Sequence, residues 1–221
     1  MSEDPLMEKY YGIGANVYCT ANPENLVDPD GREMGEKETL WYCLKHPYTA
    51  LRIGNVKTGS TNISTNSVRF ATRGEILYGS KPQEQEERGS EAGAFRHALW
   101  QAAICSIFGG RTAIEVGYAH EDNVSSFDYT KMKYESITEA DMAVDLFNNQ
   151  VGRTFSSEGM DMKQLALKLL DVFESLGLYT AKQVGEEEWV IERSVLDEER
   201  AKQLRDIFMQ LDKNGFYEAE Q

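Results

Sequence analysis

The sequence of 221 residues predicts a mainly α-helical protein: one multi-helix domain over residues 35–221, preceded by a short extended and turn-rich segment over residues 1–34. The first observation is that apolar residues recur at helical spacing in most of residues 90–211. The second is that residues 1–34 hold Asn-Pro and Asp-Pro-Asp-Gly turn formers and too little apolar surface for a domain. The chain is long enough to bury a substantial core.

Capping residues define the predicted helices. Ser90 is expected to cap a helix that Gly109-Gly110 ends, and a second helix follows from Arg111 to Asp122. A third helix is expected to begin at Thr138, with Asp141 as its capping-box partner. The Gly-, Ser-, Thr- and Asn-rich stretch Asn55–Thr65 predicts a loop. Two later helices are expected over 161–176 and 197–211, and Glu188–Glu192 is a short strand or an extended link.

The net charge of −14 is unevenly distributed. Residues 1–47 hold four basic and nine acidic side chains, residues 48–135 hold ten of each, and residues 136–221 hold nine and eighteen. An acidic surface repels phosphate backbones, so a nucleic-acid partner is disfavoured. No apolar run reaches the ~20 residues needed to span a bilayer, and no classical signal peptide is visible.

A polar centre is expected where three predicted helices meet. Two of the three histidines, His97 and His120, lie in adjacent helices that bring them face to face if they pack as an antiparallel pair. The third helix offers Asp145 and Asn149, flanked by apolar residues on both sides. We therefore predict that the catalytic residues are His97, His120, Glu121 and Asp145, and that the residues positioning the substrate are Arg96, Gln101 and Asn149.

Three chemistries fit these side chains. In the first, His97, His120 and Asp145 hold a divalent metal ion that supplies hydroxide, in an order similar to that of helical HD phosphohydrolases but with Glu121 in place of the aspartate. In the second, the two histidines exchange a proton without metal. In the third, Glu121 or Glu91 is the general acid of a peptidoglycan or lipid hydrolase. The structural alternative is that the histidines only satisfy buried hydrogen bonds.

Three stretches of the N-terminal segment form an ordered pattern: Asp4–Tyr11, Asn16–Pro23 and Val27–Arg32. The pattern resembles the C-terminal end of the Rhs (YD-repeat) core, the element that closes a β-cocoon shell before a variable toxin domain. The resemblance implies that Asp28 belongs to the self-cleavage motif, that the cut falls near Arg32 to Gly35, and that the Rhs shell and a secretion machine are partners.

The central segment contains a second set of motifs: Asn62–Thr65, Arg69–Arg73, Phe95–Trp100, Ala119–Glu121 and Val144–Arg153. The set is similar to a domain of unknown function that recurs at the C-terminal tip of bacterial polymorphic toxins. The resemblance implies a toxin without assigning a reaction.

Together these observations predict an antibacterial effector, released from an Rhs protein, delivered into a target bacterial cell and blocked by a cognate immunity protein. Its expected activity is hydrolysis at the His/His/acid centre, with a divalent metal ion as the candidate cofactor. The alternatives are a non-enzymatic helical toxin or binding module, and a nuclease.

Overall fold

The computed structural model describes residues 46–78, 88–120, 128 and 131–217, and these form a mainly α-helical fold, as predicted, together with one small β-hairpin. The segment 1–34, with its predicted cleavage motif at Asp28, lies outside the described residues. No helix in the described ranges is long and apolar enough to cross a membrane. The elements are α1 (Pro47–Ile53), α2 (Ile63–Thr72), a 3-10 turn (Arg73–Tyr78), α3 (Glu91–His120), α4 (Ile137–Phe155), α5 (Met162–Ser175), β1 (Leu178–Gly185), β2 (Glu188–Ser194) and α6 (Glu198–Met209).

Helix α3 is broken at Gly109 into a first arm, residues 91–108, and a second arm, residues 110–120. Gly109 has φ 85° and ψ 163°, a positive-φ conformation that glycine adopts without steric cost because it has no Cβ. The predicted cap is confirmed, because the Gly93 N–H donates to Ser90 Oγ at 3.1 Å. The break folds the second arm back onto the first: a Cβ added at Gly117 would lie 2.5 Å from Gln101 Nε2.

Two helix starts differ from the sequence prediction. The predicted loop Asn55–Thr65 ends early, because Asn62 Oδ1 accepts the Thr65 N–H at 2.8 Å and begins α2 at Ile63. Helix α4 begins at Ile137 rather than Thr138, with Ser136 as its cap. The side chain of Asp141 instead accepts the N–H of Gly89 at 2.5 Å and ties α4 to the start of α3.

Helix α4 lies along the first arm of α3 at very close range. A Cβ added at Gly152 would stand only 2.1 Å from the carbonyl oxygen of Ala98 and 3.1 Å from Ala102 N. Further along α4, Asn148 is fully buried and makes two hydrogen bonds to the backbone of Tyr179 in β1, at 2.9 and 3.0 Å. These contacts fix α4 between α3 and the hairpin, since a buried amide is stabilising only when its donors and acceptors are used.

The hydrophobic core lies between α2, α3, α5 and α6. Phe208 of α6 meets Phe70 edge to face at 5.2 Å between ring centroids, and Phe95 at 5.9 Å. The predicted strand Glu188–Glu192 is confirmed as part of β2, which pairs antiparallel with β1. The sequence did not indicate β1, because only its first residues, such as Leu178 and Thr180, are buried.

We expect Gly152→Ala to destabilise the fold by roughly 1–3 kcal/mol, because the added methyl group overlaps the Ala98 carbonyl and must push α4 from α3. The measurement is urea unfolding followed by circular dichroism. The matched control is Gly110→Ala, whose Cβ meets nothing nearer than Cys105 Sγ at 3.9 Å and should be neutral or slightly stabilising. Equal midpoints for the two variants would contradict close helix contact at Gly152.

Candidate active site

A cavity of about 550 Å³ opens between α1, α2 and the two arms of α3. Much of its wall is apolar, and its polar side chains are few. The apolar part includes Ile53, Val56, Val68 and Val116, and the polar part includes Ser64, Arg96, His97 and His120. A largely apolar pocket with a few polar groups that converge is typical of a binding site for a small molecule.

His97 is a buried polar group of this cavity, with 5% of its surface exposed. Its Nε2 atom lies 3.3 Å from Asp145 Oδ2 and 3.0 Å from Arg96 Nη2. An Nε2 that carries a proton donates to the Asp145 carboxylate, whereas an Nε2 without a proton accepts from the Arg96 guanidinium. The site therefore accommodates the Nε2 atom of His97 both with and without a proton.

The surroundings hold the pKa of His97 well below its ordinary value of 6.5. Burial is the largest cause, followed by the charge of Arg96 and by His120, while Asn149 acts in the opposite direction. Burial disfavours the charged imidazolium because the protein interior solvates charge poorly. His97 is therefore a neutral imidazole at pH 7.

His120 lies at the exposed side of the cavity. Its ring centroid is 6.0 Å from that of His97 and 5.0 Å from that of Trp100. Sequence reasoning brought the two histidines together but missed Trp100, whose Nε1 donates to Ser64 Oγ at 3.0 Å. Sequence spacing could have identified Trp100 as a neighbour of His97, because it follows His97 by three residues and therefore lies on the same side of the helix.

Two predicted substrate-positioning residues lie behind the cavity. Gln101 is fully buried, and its Oε1 accepts from Arg153 Nη1 at 3.0 Å where the two arms of α3 meet. Asn149 is 1% exposed and supports His97 from α4. Neither side chain lines the cavity, whereas Arg96 does. Gln101 and Asn149 are thus placed to hold the elements of the site rather than to touch a ligand.

The acidic residues that the sequence predicted for the site do not all lie together in the structure. Asp145 is beside His97, but Glu121 lies outside the described residues. Glu91, the alternative general acid, is at the start of α3, where its carboxylate binds Arg200 and Ser194 and does not line the cavity. Of the predicted acids, the described residues thus bring Asp145 alone to the site.

Among the described residues, no three His, Cys, Asp or Glu side chains form a group suited to a metal ion. The predicted ligands His97 and Asp145 are adjacent, but the Arg96 guanidinium stands 3.0 Å from the same imidazole nitrogen. A fixed positive charge at that distance opposes a divalent cation.

A family model described as a domain of unknown function (DUF6973) matches residues 40–175, more than half of the chain. The chain belongs to that family. The matched range contains α1 to α5 and every side chain that lines the cavity. No curated protein and no solved structure matches the chain at a significant level.

We expect the wild-type protein to lose stability relative to His97→Gln as the pH falls below about 6.5. Below this pH the imidazole of His97 is protonated in the unfolded chain but stays neutral in the folded chain, because the pKa of His97 is lowered in the folded state. Proton binding therefore stabilises the unfolded state. The difference in unfolding free energy between the two proteins should change by about 1.4 kcal/mol per pH unit until the folded pKa is reached, and should become constant above pH 6.5. Urea unfolding between pH 5 and 8 measures it. A constant difference across this range would show that His97 is not held neutral.

Proposed function

We propose that this member of the DUF6973 family is a hydrolase that uses His97 as its general base, and that it acts as an antibacterial toxin. The observation that carries the enzymatic part is the position of the His97 Nε2 atom. It lies between the carboxylate of Asp145 and the guanidinium of Arg96, and His97 lines a cavity of about 550 Å³. A neutral, oriented imidazole beside a fixed cation suits the attack of water on an ester or phosphoester.

In the proposed reaction, the Nε2 atom of His97 takes a proton from water while the water oxygen bonds to the carbon or phosphorus of the substrate ester. The bond to the leaving oxygen then breaks with its electron pair, and that oxygen receives the proton from Nε2. The products are an acid and an alcohol, with no net change in the enzyme.

Each neighbour of His97 has a distinct task in this scheme. Asp145, at 3.3 Å, stabilises the imidazolium that forms for a moment. Arg96 lines the cavity and offsets negative charge that develops on the substrate oxygen. Asn149 keeps the imidazole in place from α4. His120, at the exposed side, is the second group available for proton transfer.

The toxin part of the proposal is supported by the sequence. Residues 1–34 resemble the end of an Rhs core, and the central segment resembles the tip domain of polymorphic toxins. In this proposal, self-cleavage at the Asp28 motif frees the domain, a secretion machine delivers it into a target bacterium, and a cognate immunity protein blocks it.

We expect His97→Gln and Asp145→Asn to reduce toxicity on induced expression in a bacterial host by at least about 100-fold in surviving colonies, because general-base catalysis contributes at least that factor to a rate. Cytoplasmic and periplasmic forms are compared, since the compartment of killing limits the substrate. His46→Gln is the matched control, because His46 precedes α1, makes no side-chain capping hydrogen bond and does not line the cavity. Killing by folded His97→Gln at the wild-type level would refute the catalytic role.

The metal hypothesis has a separate test. Because Arg96 opposes a cation at His97, we expect the toxic or hydrolytic activity to survive exhaustive chelation with EDTA and dialysis. The measurement is activity before and after chelation, and again after adding back Mg²⁺, Mn²⁺ or Zn²⁺. Loss of activity with recovery on one of these ions would restore His97, His120 and Asp145 as candidate ligands.

A further inference from the structure

We infer that the substrate of this site is an anionic phospholipid, and that α1 with the loop after it is the surface that contacts the membrane. The inference rests on the proposed hydrolytic function and adds its substrate class. It is drawn from three features of residues 46–74: exposed apolar side chains, the absence of acidic residues, and the apolar wall that leads to His97.

Apolar side chains project from the rim of the cavity into solvent. Tyr48 and Leu51 of α1 are 66% and 77% exposed, and Val56 in the following loop is 60% exposed. Helix α1 has no buried residue, although Ala50 and Ile53 line the cavity. One short element thus presents apolar groups both to the cavity and to solvent, an arrangement suited to the boundary between lipid headgroups and acyl chains.

The same segment has a charge unlike that of the rest of the protein. Residues 46–74 contain Arg52, Lys57, Arg69 and Arg73 and no aspartate or glutamate, in a chain whose net charge is −14. Arg52 and Lys57 are exposed beside Leu51 and Val56. Basic side chains next to an apolar rim attract an anionic lipid surface, while the acidic remainder is repelled from it. The two effects orient the cavity toward the membrane.

The cavity itself suits an amphiphile. Ile53, Val68 and Val116 supply an apolar wall, and Arg96 and His97 supply the polar end. An acyl chain along the wall would place an ester or phosphoester near the His97 Nε2 atom and a phosphate near the Arg96 guanidinium. A soluble nucleotide would use the polar end but would leave the exposed rim of α1 without a function.

The first test measures binding of the full chain to phosphatidylcholine vesicles with and without phosphatidylglycerol, by flotation. We expect binding to the anionic vesicles that weakens as salt rises. Leu51→Asp and Val56→Asp should each weaken it by at least about tenfold, because each replaces an inserted apolar group by a charge. Leu176→Asp and Val184→Asp are the matched controls, since these side chains are 63% and 51% exposed on elements that do not line the cavity. Equal effects of all four substitutions, or no binding, would overturn the membrane surface.

The second test separates substrate class from catalysis. Wild type and His97→Gln should bind the vesicles equally, but only wild type should release a fatty acid, a lysolipid or a phosphorylated headgroup, detected by mass spectrometry. If killing depends on His97 while every phospholipid stays intact, in vesicles and in poisoned cells, the lipid is the wrong substrate and the hydrolase proposal survives. If wild type and His97→Gln kill alike, both proposals fail.

Discussion

The close contact of α3 with α4 at Gly152 is the constraint on which the candidate site depends. Asp145, Asn149 and Gly152 share one side of α4, because positions four and seven residues apart return to the same face of a helix. With no side chain at Gly152, the backbones approach until a Cβ there would stand 2.1 Å from the Ala98 carbonyl. Ala98 is the neighbour of His97, so the same approach that joins the two helices brings the Asp145 carboxylate to 3.3 Å from the imidazole.

Burial of these polar groups gives the site its chemical character. A buried polar group costs free energy unless it has partners, and the Nε2 atom of His97 lies beside Asp145 and Arg96. The balance of these effects decides the charge of His97. Desolvation and the charge of Arg96 lower its pKa by more than Asn149 raises it, so the imidazole is neutral. The arrangement therefore combines two properties that oppose each other in water, a firmly oriented histidine beside a carboxylate and an imidazole with its lone pair available for a proton.

The cavity joins two parts of the chain with different compositions. Its polar end comes from α3, whereas its outer wall comes from α1, α2 and the loop between them, a stretch without acidic residues. The break at Gly109 completes the enclosure by turning the second arm of α3, with Val116 and His120, back over the first. The proposed catalytic group, His97, and the apolar, basic rim are thus parts of one cavity. This geometry links the hydrolysis proposed here to a substrate that is both apolar and anionic.

Much of this architecture is determined by sequence alone, because it depends on local signals. Ser90 and Gly109 mark the limits of a helix through capping and backbone freedom, helical spacing puts His97 beside Trp100, and apolar flanks mark Asp145 and Asn149 as buried. Long-range contacts decided the rest. Gln101 was drawn to Arg153 instead of the cavity, and Glu91 was bound by Arg200 of α6. No local pattern identifies such partners, because the residue that binds Gln101 and the residue that binds Glu91 are each 50 or more positions away in the sequence. The role of such a side chain is fixed only when packing selects its neighbour.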